Sequence, residues 1–315
     1  MTYLEHVNSL IKEAVIKTDH AVIFGQNINA GSCIGGLTRG LKVKPTGRIW
    51  NSTNAENSLV GFGFGLMLNG APAGFFMKQM DFLALGIEHL VNTYNIIRNM
   101  KHQPKSGSFT IAAVVVDSGF EGPQSSLNNF ADICSIARIP GFTVTNKTDA
   151  DYIIPKHLLQ PGFRILGMSQ RLGKKEIIDP GSALKVYGNG EIFQYKEGKD
   201  VTLVSFNFSF PQAYALEAKL RENGMSAAFF NVNSAIATDW TPIIKSAKKT
   251  KKIVVIDDSK SLHVAMDALF TELCVDVPLE KKIVIKRALG DDWVHPVSDV
   301  MEIDYNHIIA KLNAQ

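Results

Sequence analysis

The chain has 315 residues, 45% of them hydrophobic and 20% charged, with a formal net charge of +3. These proportions are those of a soluble globular protein, and the length allows two domains of moderate size. No apolar run approaches the ~20 residues that a membrane helix needs, and no charged start leads into an apolar signal core, so a cytoplasmic location is expected.

In chain order, residues 4–17 predict an amphipathic helix, with Leu4, Val7, Leu10, Ile11 and Ala14 on one face. A short buried strand, His20 to Phe24, ends at Gly25. The glycine-dense stretch Gly31 to Gly40 reads as a loop, and Arg48-Ile49-Trp50 leads into Asn54-Ala55-Glu56. Glu56 opens an apolar helix containing Gly61, Gly63 and Gly65, which stops at Asn69-Gly70. A strand from Ala73 to Met77 follows, then a long helix from Asp81 to Met100. Phe109 to Val116 is a fully buried strand, and Asp117 to Ser126 a polar loop. Phe142 to Thr145, a helix from about Asp149, and Arg164 to Met168 complete the first set. Buried strands separated by helices imply a parallel sheet covered on both faces.

Asp179-Pro180-Gly181-Ser182 marks a break, and Gly188-Asn189-Gly190 looks like a hairpin turn. A second alternation follows. Its strands are Val201–Phe206, Ala227–Val232, Lys252–Asp257 and Lys282–Lys286. Its helices are Pro211–Asn223, Thr241–Lys248, Leu262–Leu273 and Asp304–Leu312. The expected architecture is α/β: two three-layer α/β/α domains, residues 1–185 and 186–315.

The dense basic run Lys248-Lys249-Thr250-Lys251-Lys252 has no interleaved aromatics and reads as a solvated helix end, which argues against nucleic-acid binding. Cys33, Cys134 and Cys274 are far apart and odd in number, pointing to a reducing compartment and no metal site. The chain lacks a dinucleotide fingerprint, a P-loop, H-E-x-x-H and G-x-S-x-G. It also lacks a Gly-Asp-Gly followed by Asn, the pattern that binds a magnesium diphosphate. Glu56 is the most informative residue. An acid at a helix start is favoured by the helix dipole alone, but apolar flanks put this one at the edge of a core, where carboxylates are functional candidates.

The ordered series from Asn54-Ala-Glu56 to Met80-Asp81-Phe82 resembles the pyrimidine-binding segment of thiamine-diphosphate enzymes of the transketolase superfamily. The likeness extends along the chain. It includes Gly25-Gln26-Asn27, Gly36 to Leu41, Ile87 to Asn92, Ile139 to Val144 with Asp149-Ala-Asp151, and Gly198 to Val204. Within that superfamily the chain is similar to beta subunits of 2-oxo acid dehydrogenases, the pyruvate and branched-chain decarboxylase components. The resemblance implies a pyrimidine-binding domain followed by a transketolase C-terminal-like domain. It implies that Glu56 activates the aminopyrimidine of thiamine diphosphate, that the cofactor reacts as an ylid, and that a 2-oxo acid is decarboxylated. Phe82 matches the aromatic that stacks on the pyrimidine, against the ordinary alternative of a core aromatic. Because the Gly-Asp-Gly site is missing, the resemblance implies an alpha-type partner chain that holds magnesium and the diphosphate, in an assembly of two alpha and two beta chains.

Two positions depart from the family. It has an acid where Gln26 stands; an amide still hydrogen-bonds there but relays no proton. It has a histidine where Ser125 stands, and a serine is no base near pH 7 without an activating neighbour. His89, about two helical turns beyond Phe82, is a substitute candidate for substrate contact. These departures keep two other readings open: the C-terminal half of a split transketolase-like carboligase or transferase, and a non-catalytic regulatory subunit that keeps the fold.

Overall fold

The computed structural model describes residues 1–100, 107–119, 122, 126–237, 239–261, 265–287 and 301–314. Ser125, singled out above, lies outside the described residues, as does the family-matched Gln124 before it.

The first sheet contains β1 (Val22–Gly25), β2 (Arg48–Asn51), β3 (Pro72–Met77), β4 (Ser108–Val115), β5 (Gly141–Val144) and β6 (Gly162–Ser169). Their order is β2-β1-β3-β4-β6-β5, with every pair parallel. Strands such as β3 and β4 are buried almost throughout, which is why they read as unbroken apolar runs. Helices α1 (Tyr3–Lys17) and α5 (Lys147–His157) cover one face. The other face carries α2 (Glu56–Leu68), α3 (Tyr94–Asn99) and α4 (Phe130–Ala137).

The second sheet contains β7 (Lys185–Tyr187), β8 (Ile192–Lys196), β9 (Val201–Phe206), β10 (Ala227–Val232), β11 (Lys252–Asp257) and β12 (Lys281–Lys286), in the order β12-β11-β9-β10-β8-β7. β8 is antiparallel to both β7 and β10. Helices α6 (Phe210–Glu222) and α9 (Tyr305–Asn313) lie on one side, α7 (Thr241–Thr250) and α8 (Met266–Asp276) on the other. The expected α/β architecture of two layered units is therefore present.

One apolar core runs from the first unit into the second, joining Tyr3 and Val144 to Leu203, Phe210 and Leu312. The units also meet edge to edge. β5 lies at the edge of its sheet, and the segment after β10 covers it: Thr143 N–H donates to the Asn233 carbonyl (2.8 Å) and Ala235 N–H to the Gly141 carbonyl (2.9 Å). Covering an edge satisfies backbone groups that would otherwise pair with another chain. His157, on α5, stacks on Phe142 with ring centroids 4.0 Å apart and meets the Asn189 carbonyl at 2.8 Å. Burial pushes its imidazole down to about 4, so at neutral pH Nε2 carries the proton that it donates.

Three elements differ from the sequence expectation. The stretch read as one helix from Asp81 to Met100 is a 3-10 segment Met80–Gly86, a wide π turn His89–Thr93, and then α3. The cause is tertiary: the chain drops onto α2, and a Cβ on Gly86 would come within 2.7 Å of Val60. α4 carries buried Phe130, Ile133, Cys134 and Ala137, a helical i, i+3, i+4, i+7 pattern that is only eight residues long. β7 and β8 flank the expected Gly188–Gly190 turn and form an antiparallel pair outside the main alternation.

The α2 glycines divide by what surrounds them. A Cβ on Gly63 would sit 2.2 Å from the buried Phe109 ring, whereas one on Gly65 meets nothing within 4 Å. Gly63→Ala is expected to cost about 1–3 kcal/mol through overpacking, and Gly65→Ala to add about 0.5–1 kcal/mol by relieving the helix of glycine. Opposite shifts in urea midpoint would check this pair. A depressed imidazole pKa also predicts a pH effect. The unfolded chain takes up a proton near pH 6.5 and the folded one only near 4, so stability falls as pH is lowered across that window. His157→Gln should flatten the stability profile measured between those two values.

Candidate functional site

β1 and β3 are parallel neighbours, with Phe24 opposite Phe75, so their carboxyl ends open on the same side. Ligands of open α/β sheets bind outside these ends. At Gly25 the backbone turns away with φ +144°, and a Cβ there would lie 2.1 Å from the Phe76 carbonyl oxygen, so only glycine lets β1 leave the sheet this close to β3. Gln26 follows directly. The next loop is stitched down, with Asn51 Oδ1 accepting from Ile28 N–H (2.8 Å) and Thr38 Oγ1 donating to the Ile28 carbonyl (2.6 Å).

A small cleft of about 20 Å³ sits at this point, and Gln26, Glu56 and Phe82 all line it. Glu56 is the first residue of α2, whose preceding Ala55 supplies no side-chain cap. The carboxylate therefore stands among the free amides of the first turn, at the favourable end of the dipole. It is half-buried. Leu59, Phe75 and Met77 give the cleft an apolar floor. Phe82 is half-buried, packs against the apolar core beneath α2, and makes no ring contact with another aromatic among the described residues. The preceding Asp81 is buried and accepts Leu127 N–H (3.0 Å), fixing the chain that follows the β4 loop against the Phe82 segment. Lys78 and Gln79 also line the cleft; the sequence reading passed over both, although they lie between the strand and the aromatic it had marked.

His89 is placed elsewhere. Its imidazole packs over α2 where a Cβ on Gly61 would approach Nε2 to 2.9 Å, and its Nδ1 meets Thr93 Oγ1 at 2.8 Å. The change of winding along this continuous helical run, from 3-10 to π, alters the spacing that had put it on the face of Phe82. Among the described residues, no group of three or more His, Cys, Asp or Glu is placed to hold a metal ion.

A buried charged network lies where the two units meet, and nothing in the sequence marked it. Arg171, after β6, reaches Asp258 after β11 (2.5 Å) and Asp117 after β4 (3.5 Å). Ser169 Oγ and the Arg171 amide also donate to Asp117, at 2.6 and 2.9 Å. Arg287 donates to the Asp258 and Asp117 carbonyls. Lys260 Nζ donates to the carbonyls of Gly119 (3.3 Å) and Ser126 (2.8 Å), so the second unit holds both ends of the loop after β4. Burial raises the Asp117 carboxyl despite its arginine. A second polar cluster centres on Asp149, which accepts from Thr145, Asn146 and, across the junction, Asn233. Burial lifts its carboxyl to about 6 even so.

Residues 190–306 match the family described as Transketolase, C-terminal domain. The chain is 21% identical to the pyruvate dehydrogenase E1 component subunit beta of Staphylococcus epidermidis, over 96% of this chain and 94% of that one. It is 23% identical to the mitochondrial pyruvate dehydrogenase E1 component subunit beta-1 of Arabidopsis thaliana, over 96% of this chain and 84% of that one. Along nearly its whole length the chain is thus similar to these beta subunits, and its C-terminal part to the transketolase C-terminal domain. Its fold is similar to that of a split-gene transketolase solved as an inactive beta4 tetramer, with a TM-score of 0.72 at 18% identity, covering 99% of this chain and 97% of that one. A 2-oxoglutarate:ferredoxin oxidoreductase from Magnetococcus marinus is also similar in fold, with a TM-score of 0.63 at 10% identity, covering 99% of this chain and 65% of that one.

Arg171→Met leaves two carboxylates buried without their cation, a change expected to cost about 3–5 kcal/mol. The deficit should be largest at alkaline pH and shrink on acidification, as Asp117 takes up a proton. Urea denaturation at several pH values measures both effects.

Proposed function

We propose that this chain is the beta-type subunit of a thiamine-diphosphate-dependent enzyme that decarboxylates a 2-oxo acid. The observation that carries the reading is the convergence of Glu56, Phe82 and Gln26 on one cleft at the carboxyl ends of β1 and β3. The beta-subunit relatives, matched over nearly their whole length, support it.

The residues fit one end of the cofactor. An acid, apolar lining residues and a half-buried aromatic suit a flat aminopyrimidine. When bound, thiamine diphosphate supplies a carbanion at its thiazolium carbon, the electron sink that breaking a bond next to a carbonyl requires. Glu56 would share a proton between its carboxyl oxygen and the ring nitrogen of the aminopyrimidine. Phe82 would pack on the ring and keep water from one face. Gln26 can orient a polar edge but cannot carry a proton. In this reading an alpha-type partner holds the diphosphate and magnesium, two chains of each type assemble, and the work is done in the cytoplasm.

A second reading is the aldehyde-transferring half of a split transketolase-like enzyme. Ser125, where the family has histidine, favours it, and so does the full-length likeness to a split-gene transketolase chain.

The test is co-expression with a candidate diphosphate-binding partner, followed by calorimetric titration with thiamine diphosphate and magnesium. Tight binding is expected for the pair and none for the isolated chain. Glu56→Gln should reduce decarboxylation by at least about 100-fold, the scale of a lost proton-transfer group. Phe82→Ala should weaken cofactor binding by roughly 10-fold, the worth of one lost aromatic contact. Full turnover in Glu56→Gln would sink the assignment, and 2-oxo acid turnover set against aldehyde transfer separates the two readings.

A further inference from the structure

The cofactor cleft has a larger neighbour on the α1 side of the first sheet. A cavity of about 230 Å³ lies over the ends of β3, β4 and β6 and shares Lys78 and Gln79 with the cleft. Its inner walls are apolar: Leu4 of α1, Ile34 and Leu37 of the loop after β1, Val114 of β4 and Met168 of β6. The wall formed by α1 is held in place, with Leu4 N–H donating to the Gly173 carbonyl (3.1 Å) and Tyr3 N–H to that of Lys175 (2.9 Å).

The rim differs from the interior. Lys78 and Lys174 both line the cavity and both are exposed. Neither makes an ion pair or hydrogen bond among the described residues, although other exposed lysines, such as Lys17 and Lys219, are paired. An apolar interior beneath two unpaired ammonium groups matches an amphipathic anion. The interior selects a hydrocarbon chain through burial of apolar surface, and the rim selects a negative head. Among the described residues no acidic side chain lines the cavity to oppose that head. At about 230 Å³ the cavity has room for a hydrocarbon chain.

We propose that this cavity binds an aliphatic monocarboxylate, with its chain against Val114 and Met168 and its carboxylate at Lys78 and Lys174. This site adjoins the pyrimidine cleft through Lys78 and Gln79, but the proposal does not depend on the cofactor reading. Two sources supply the same chemistry: a 2-oxo acid, which would be a reactant, and a simple fatty acid, which would be an effector.

The test is calorimetry on the full chain, without partner or cofactor, using acetate, octanoate, octanol and 2-oxooctanoate. Octanoate is expected to bind at least about 10-fold more tightly than either acetate or octanol, since each of these lacks one of the two features. The double substitution Lys78→Met, Lys174→Met, at exposed positions, should weaken octanoate at least 10-fold and leave octanol unchanged. Val114→Phe, which fills the interior, should weaken octanoate and octanol alike. A 10-fold preference for 2-oxooctanoate over octanoate identifies the reactant, and equal affinity identifies the effector; both support the site. Octanol matching octanoate, or octanoate affinity unmoved in the double lysine variant, overturns it. Failure here leaves cofactor binding by the partnered chain untouched, so the two proposals fail separately.

Discussion

The site depends on the parallel pairing of β1 with β3. That register brings the exits of two strands together, although some fifty residues of chain separate them. The intervening chain makes β2 on one flank and α2 across one face, so the helix begins where both strands end. An acid at the start of α2 then has no choice of neighbours. It faces Gln26 from one strand exit and Phe82 from the other. Gly25 makes this possible, because any side chain there would drive β1 away from the Phe76 carbonyl and open the sheet at the point where the site is built.

The second unit stabilises this end of the sheet from outside. Arg171 lies between carboxylates that follow β4 and β11, and Lys260 and Arg287 add donors to the carbonyls of the same loops. Ion pairs as deeply buried as these gain little net stability over apolar packing. Their value here is geometric. An arginine with two carboxylate partners fits in one arrangement only, so the β4 loop cannot shift without stranding a charge.

Much of the fold was legible because most strands are buried on both faces and read as apolar runs bounded by glycine, proline or charge. β7 and β8 were missed because Lys185, Gln194 and Lys196 interrupt their short apolar runs, and α4 because a two-turn helix shows its period only twice. The Asp81 to Met100 stretch misled for another reason: its helical spacing is real, but contact with α2 at Gly86 overrides it. In the site, Glu56 and Phe82 were legible from spacing and resemblance. Lys78 and Gln79 were not, since a lysine and a glutamine after a strand look like any solvated turn. The junction network was also invisible, because its members come from residues 117, 171, 258 and 287 and carry no local pattern.

The edge of β5 has a consequence for how the chain is made. Its hydrogen-bonding groups are covered by residues 233–235, about ninety positions later in the sequence. The sheet is complete once β6 ends at Ser169, about 65 residues before that cover, so at a synthesis rate of about 5–20 residues per second it stands uncapped for roughly 3–13 seconds. During that interval the nascent chain presents an open strand able to pair with a neighbour on the same polysome.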